Sequence, residues 1–335
     1  MSPHRVLLTG SSGFIGSYTV RELAESGHEV VGIDLQEPRD TAAWVQGEAG
    51  KSMPLEIGSV DQWGSLVNAI EKHKPTAIIH LASLVRPDLL EREPFTALRL
   101  NVVSSINCFE AARIFGIERV VYISSIGVFP PRRYTPLDAN HPIFTATEAT
   151  PDTFYGAAKI SSEAFAFAYH HALDLDVLIV RPSAVYGFGM QWPIYIRPMV
   201  ENSLRGEPTR FDSGADMPRD YAHAADVAQL IRRCVEIDRE TVHDRIFHGG
   251  TGEEPVTAGQ VAQVVRELVP AADIEIGPGI PDEEQRDATT RARFDMTAAH
   301  EQLGFTPRFS DIRDGIADYI EQFHKFERRQ VRGDS

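Results

Sequence analysis

Tyr155-Gly156-Ala157-Ala158-Lys159 places a phenol and an ammonium four residues apart, on one face if the segment is helical. A free phenol loses its proton near pH ~10. Bringing that to neutrality takes about 3 units, or roughly 4 kcal/mol of preferential stabilisation of the phenolate. An ammonium one turn away, with a second cation beside the ring, supplies a shift of that kind. Such a phenol takes a proton from an alcohol or returns one. A bare Tyr-x-x-x-Lys also arises by chance as a surface pair, so a second group has to support it. Val121-Tyr122-Ile123-Ser124-Ser125 ends a strand-like run 30 residues before Tyr155. A hydroxyl emerging there, from Ser124 or Ser125, would hold a substrate oxygen against the phenol.

A second constellation is built for binding. Val6-Leu7-Leu8 runs into Thr9-Gly10-Ser11-Ser12-Gly13-Phe14-Ile15-Gly16 and then a helical pattern. Gly10 allows a tight turn, Gly13 lets backbone amides approach a pyrophosphate, and Gly16 lets helix and strand pack closely, with the helix N-terminus facing the phosphates. Asp34 ends the next strand-like run 18 residues after Gly16. A carboxylate there accepts hydrogen bonds from the ribose hydroxyls and repels a 2′-phosphate, which favours NAD over NADP. Arg39 nearby keeps NADP as the alternative.

The elements that must position these groups alternate. Arg5 to Thr9, Glu29 to Asp34, Thr76 to Leu81, Arg119 to Ser124 and Asp176 to Arg181 read as buried strands. Ile15 to Ser26, Trp63 to His73, Val102 to Phe115 and Ser161 to His171 read as helices. This order predicts an α/β fold: a doubly wound parallel (Rossmann) sheet with a smaller C-terminal substrate-binding domain. The dinucleotide-binding domain is expected over 1–182, rejoined by a helix at about 220–240. The substrate-binding domain is expected over 183–219 and 241–325, with a loose charged tail over 326–335.

A net charge of −15 over 335 residues repels phosphate polyanions and anionic bilayers, so neither a nucleic acid nor a membrane is expected as a partner. No apolar run approaches the ~20 residues needed to cross a bilayer, and Met1 to His4 leaves no room for a signal peptide before the first strand. Cys108 and Cys234 cannot build a disulfide framework; both fall in apolar helical patterns as small core residues, and a cytoplasmic location is expected. Arg332-Gly333-Asp334 spells an adhesion tripeptide, read here as chance in a polar tail. The histidines show no ligand spacing, so no metal is expected.

Taken together, Thr9-Gly10-x-x-Gly13-Phe14-Ile15-Gly16, His80-Leu81-Ala82-Ser83, Asn101, Ser124-Ser125, Tyr155-x-x-x-Lys159, Arg181-Pro182, Tyr186-Gly187 and Arg219-Asp220-Tyr221 resemble the extended short-chain dehydrogenase/reductase family, also called the NAD-dependent epimerase/dehydratase family. The resemblance spans nearly the whole chain. It implies NAD as cofactor, a small-molecule substrate, and a homodimer joined through the helices after Asn101 and through Tyr155. It selects Ser125 over Ser124 as the third catalytic residue beside Tyr155 and Lys159. It also implies that Ser12, Phe14, Ile15, Leu35, Ile123 and Leu81 to Ser83 (with Ala82 between) line the cofactor. Asn101 is expected to brace the site, and Pro182 and Ser183 to flank the nicotinamide. His80, inside a strand, is expected to be packed.

The departures bear on the substrate. Gly58-Ser59-Val60 stands where the family usually has Gly-Asp-hydrophobic against adenine, leaving Ser59 a weaker contact. Ala158 replaces a frequent Ser. Ala184 stands where nucleotide-sugar members carry an Asn for the substrate diphosphate. Their late Arg-Pro-Gly-Asp segment is missing, with Arg286-Asp287 roughly in place, whereas Arg219 resembles their phosphate-binding Arg. Ile126 and Gly127 replace the acids that dehydratases use to eliminate water.

Two enzymatic readings follow. One is a dehydrogenase or reductase with exchangeable NAD, acting on a carbohydrate-like or hydroxy-acid substrate, and the missing diphosphate handles favour it. The other is a nucleotide-sugar epimerase with tightly bound NAD, favoured by Arg219. A non-catalytic NAD sensor would need neither Tyr155 nor Lys159. Candidate substrate contacts are Ser83, Arg86, Ser125, Gln191 and Arg219.

Overall fold

Val6-Leu7-Leu8 is buried on both faces, and a strand apolar on both sides belongs inside a parallel sheet covered by helices. The computed structural model describes residues 3–143 and 153–332. In chain order β1 (Arg5–Thr9), α1 (Phe14–Glu25), β2 (Glu29–Asp34), α2 (Asp40–Ser52), β3 (Leu55–Ile57), α3 (Trp63–His73), β4 (Ala77–His80), α4 (Ser104–Phe115), β5 (Arg119–Ile123), α5 (Phe154–Leu173), β6 (Val177–Pro182), α6 (Ala224–Glu236) and β7 (Ile246–Gly249) build the main body. The seven strands are parallel, in the order β7-β6-β5-β4-β1-β2-β3.

Alternation of side chains across β1 divides the core. Val6 and Leu8 pack with Val20, Leu23, Leu230 and Ile231 of α1 and α6. Leu7 packs with Leu66, Ile70, Phe109 and Ala166 of α3, α4 and α5. The strand order reverses between β1 and β4, and a crevice opens at their carboxyl ends, the usual ligand position in such sheets. The smaller lobe is assembled from short pairings: Ala184–Tyr186 with Tyr221–His223, and Thr209–Phe211 with Ile274–Ile276. Its core is continuous with Tyr18 of α1 and Val45 of α2.

The structure departs from the sequence reading most plainly in the following places. Ile246–Gly249, expected in the substrate-binding part, pairs with β6 as the seventh strand of the main sheet. Four residues are too few to show a period. The segment Asp40–Ser52 is a helix with a kink at Gly47 (φ +60°, ψ −141°), a conformation suited to glycine that interrupts the helical pattern. Nor is the chain loose from Lys325. A helix runs over Ile312–Arg332, with Phe326 packed on the Trp44 ring at 6.0 Å between centroids. The remainder of the Arg332-Gly333-Asp334 tripeptide lies outside the described residues.

Arg119 welds α6 to the sheet. Its guanidinium donates to Asp176 at 2.7 Å and to the carbonyls of Cys234 and Val235 at 3.1 and 3.2 Å, with a further bond to Ile237. These carbonyls are the unpaired acceptors at the helix C-terminus. Both side chains of the ion pair are buried. Asp176 keeps a second pair with Arg245, but removing Arg119 strips one of the two compensating charges from a buried carboxylate and the donor from the helix-end carbonyls. Arg119→Ala should cost ~3–5 kcal/mol of stability, read as a lower urea midpoint; an unchanged midpoint would contradict this role.

Candidate active site

The glycine turn and α1 form a cradle in which the backbone offers the donors. Gly10 has φ +75°, and a Cβ there would sit 2.8 Å from the Ala82 amide nitrogen, so the β1 and β4 ends meet only because this residue is glycine. A Cβ at Gly16 would collide with the Gly10 carbonyl. The helix starts after Gly13 with no side-chain cap and no acidic residue in its first turn. Its leading amides, at Phe14, Ile15 and Gly16, therefore keep donor capacity and positive potential for an anion.

Asp34 closes the far side of the cradle, its carboxylate accepting from the Ser12 amide at 2.9 Å and the Leu35 amide at 2.7 Å. Burial raises its pKa, against these backbone hydrogen bonds. Leu35 is exposed. Beyond β3, Val60 is buried, and Ser59 donates to Asp61, which also pairs with Arg99. The Ser59 hydroxyl is thus committed within the protein. The donor set fits a dinucleotide: amides for a pyrophosphate and a carboxylate for ribose hydroxyls.

On the other side of the crevice, Leu81, Ala82 and Ser83 follow directly on β4 and are half-buried. Asn101 holds them. Its Oδ1 accepts from the Leu84 amide at 2.7 Å and the Ser83 hydroxyl at 3.2 Å, and its Nδ2 donates to the Leu84 carbonyl at 3.0 Å. Asn101 lies in a π-helical turn, Leu98–Val103, where the widened ladder leaves its carbonyl to accept from Ser162 of α5 at 3.1 Å. His80 is packed: Thr9 at 2.8 Å and Ser105 at 3.1 Å bracket its ring. Burial, with Lys159 adding to it, lowers its pKa to about 3.

Ser125, Tyr155 and Lys159 meet just beyond the carboxyl end of β5. Thr153 caps α5 by accepting from the Gly156 amide at 3.0 Å, which starts the helix one residue before Tyr155. Ser125 caps the short turn Ile126–Val128, its Oγ accepting from the Gly127 amide at 3.0 Å. The Ser125 hydroxyl and the Tyr155 ring edge converge on Gly127, where an added Cβ would lie 3.4 Å from the first and 3.6 Å from the second. Burial pushes the Tyr155 pKa up to about 12, and a hydrogen bond with Ser125 opposes that shift. Ser124 is buried, its Oγ without a hydrogen-bond partner among the described residues.

Lys159 differs from the simple expectation of an ammonium tuning the phenol. Its Nζ donates to the Ile123 carbonyl at 2.7 Å and lies 5.5 Å from the Tyr155 ring centroid and 5.1 Å from that of Tyr122. Burial pulls its pKa down to about 7, with Glu163 acting the other way. In the chain alone, desolvation dominates both groups and the phenol keeps its proton.

Glu163 was not among the expected site residues. It forks onto Arg181 at 2.9 and 2.6 Å, with both side chains buried. Its signal was legible, since Tyr155, Lys159 and Glu163 recur every four residues along one helical stripe. Gln46 was also missed; from α2 it donates to the Ser11 carbonyl at 2.9 Å and steadies the glycine turn.

Pro182 ends β6, and Ser183 beside it donates to the Asp220 carbonyl at 2.8 Å. The outer candidates are less concentrated. Arg86 is exposed and forks onto Asp88 at 2.9 and 2.8 Å. Gln191 is exposed, and its carbonyl accepts from Arg197 at 2.7 Å. Arg219 is nearly buried and bonded to Glu284 and Asp287.

Comparison with known proteins identifies the family. Residues 6–249 match the NAD dependent epimerase/dehydratase family. A UDP-glucose 4-epimerase of Mycolicibacterium smegmatis is 31% identical over 95% of this chain and 98% of its own length. Among solved structures, a UDP-glucose 4-epimerase of Thermotoga maritima with UDP-glucose superposes with a TM-score of 0.80 at 25% identity, over 96% of this chain and 99% of that one. MoeE5 in complex with UDP-glucuronic acid and NAD does so with a TM-score of 0.76 at 28% identity, over the same shares. The chain belongs to the NAD dependent epimerase/dehydratase family, the extended short-chain dehydrogenase/reductases.

Proposed function

We propose that this NAD-dependent oxidoreductase acts as a dehydrogenase or reductase on a secondary alcohol of a carbohydrate-like or hydroxy-acid substrate. The convergence of Ser125 and Tyr155 beside Lys159 at the cofactor edge of the sheet carries the reading. NAD, when bound, supplies the hydride acceptor or donor. Gly10 to Gly16 would hold its pyrophosphate, Asp34 its adenosine ribose in preference to a 2′-phosphate, and Pro182 and Ser183 would flank the nicotinamide.

Ser125 orients the substrate hydroxyl against the phenol. Tyr155 takes its proton at the phenol oxygen in oxidation and returns it in reduction. Lys159, held by the Ile123 carbonyl in the chain alone, would hold the nicotinamide ribose, and Glu163 favours its charged form. Asn101 keeps the Ser83 segment in place under the substrate. Ala184 supplies no side-chain amide for a substrate diphosphate, which favours an un-nucleotided substrate. The second reading is a nucleotide-sugar 4-epimerase, supported by the activities of the relatives.

The assembly we infer is a homodimer. Phe95, Leu98, Val103, Phe154 and Phe165 are exposed on and just before the Asn101 and Tyr155 helices, more apolar surface than scattered exposure explains. Two buried unpaired thiols, Cys108 and Cys234, support a cytoplasmic location.

A panel of sugars, aldonates and nucleotide sugars, followed by NADH absorbance, identifies the substrate class. Net NADH from an un-nucleotided alcohol supports the dehydrogenase; interconversion of nucleotide sugars without NADH supports the epimerase instead. On the substrate so found, Tyr155→Phe should lose at least ~100-fold in kcat, the scale of general acid–base catalysis, while binding NAD as before. Full activity would exclude the proton route. A monomeric mass in solution would refute the homodimer.

A further inference from the structure

Arg219 lies between two walls of the substrate side. The next residue touches the β6 edge, the Asp220 carbonyl accepting from the Ser183 hydroxyl at 2.8 Å and the Ala184 amide at 3.1 Å. The opposite wall is the segment 282–291, stitched to the loop after Ser125. There the Arg132 amide donates to the Thr289 carbonyl at 2.9 Å, and its guanidinium to the Ala288 and Thr289 carbonyls at 3.0 Å each.

The Arg219 side chain is only 9% exposed, and both terminal nitrogens are taken. Nη2 donates to Glu284 at 2.9 Å and Nη1 to Asp287 at 3.2 Å. The acids are held in turn: the Tyr195 hydroxyl donates to Glu284 at 3.1 Å, and Arg291 donates to the other oxygen of Asp287 at 2.5 Å. Two half-buried carboxylates thus balance two nearly buried guanidiniums. A guanidinium recognises a phosphate by offering it an open fork. Here both terminal nitrogens are held from within, with Nε buried and lacking a partner among the described residues, and a diphosphate brought to the terminal fork would face Glu284 and Asp287 across a short distance.

We propose that Glu284 and Asp287 are specificity-determining residues: an internal counter-anion that fills the Arg219 fork and turns away diphosphate-bearing substrates. The inference rests on the dehydrogenase reading above and names what enforces it. Ala184 removes a contact, whereas these two acids add a repulsion, and discrimination against a near-relative substrate gains from such an element.

The test is calorimetric titration of UDP, and separately of inorganic pyrophosphate, into the NAD-loaded full chain. The wild type should show no UDP binding up to millimolar concentration. Glu284→Gln/Asp287→Asn should bind UDP at least about tenfold more tightly, and adding Arg219→Ala should abolish the gain. Micromolar UDP binding by the wild type overturns the proposal, and that measurement needs no variant. So does the absence of a gain in a double variant that still binds NAD. If the double variant fails to fold, Glu284→Gln alone should show part of the gain, and none would overturn the proposal equally. Either failure leaves the Tyr155 proton route intact, because that route is read from turnover with Tyr155→Phe.

Discussion

A lysine buried at the end of β5 is the constraint on which the site depends. Lys159 has given up water for one carbonyl, Ile123, and the faces of two tyrosine rings. Burial of that kind favours the neutral amine, and the fold opposes it with a carboxylate one turn on, Glu163, fixed by the buried fork of Arg181. Isolated buried ion pairs add little stability. Here the pair holds charge and position for the lysine, and through it the floor beneath Tyr155.

The same desolvation acts on the phenol. With its pKa raised to about 12, Tyr155 is a proton holder in the chain by itself. In the proposed function, positive charge brought beside the ring by the oxidised cofactor would make this proton transferable, which would tie readiness for chemistry to cofactor occupancy. The π-helical turn at Asn101 and the glycine contact between β1 and β4 bring the two halves of the site to one crevice.

Much of this was legible in the residues. The glycine turn, Asp34, and the Tyr155 and Lys159 stripe announce themselves by spacing that only a strand-to-helix junction or a helix face explains. All five strands read from apolar runs agree with the structure to within a residue at each end, β1 and β2 without a shift. What escaped was set by tertiary packing. Ile246–Gly249 is too short to declare a period, and its place beside β6 is decided by a sheet edge that no local pattern records. The kinked α2, which brings Gln46 to the glycine turn, is hidden by Gly47. The helix through Arg332 is polar in sequence, yet Phe323 and Phe326 dock it against the lobe core. Pairings across the fold, such as Arg219 with Glu284 65 residues on, leave no trace in spacing. The chemistry was therefore more readable than the specificity.

The most direct measurement is the phenolate titration of Tyr155, isolated as the difference between wild type and Tyr155→Phe, with and without NAD in its oxidised form. The account predicts that the free protein keeps this proton to about pH 12 and that the oxidised cofactor moves the transition well down toward neutrality. The same titration in both states would contradict it, because charge beside the ring would then have no hold on the proton that the reaction must move.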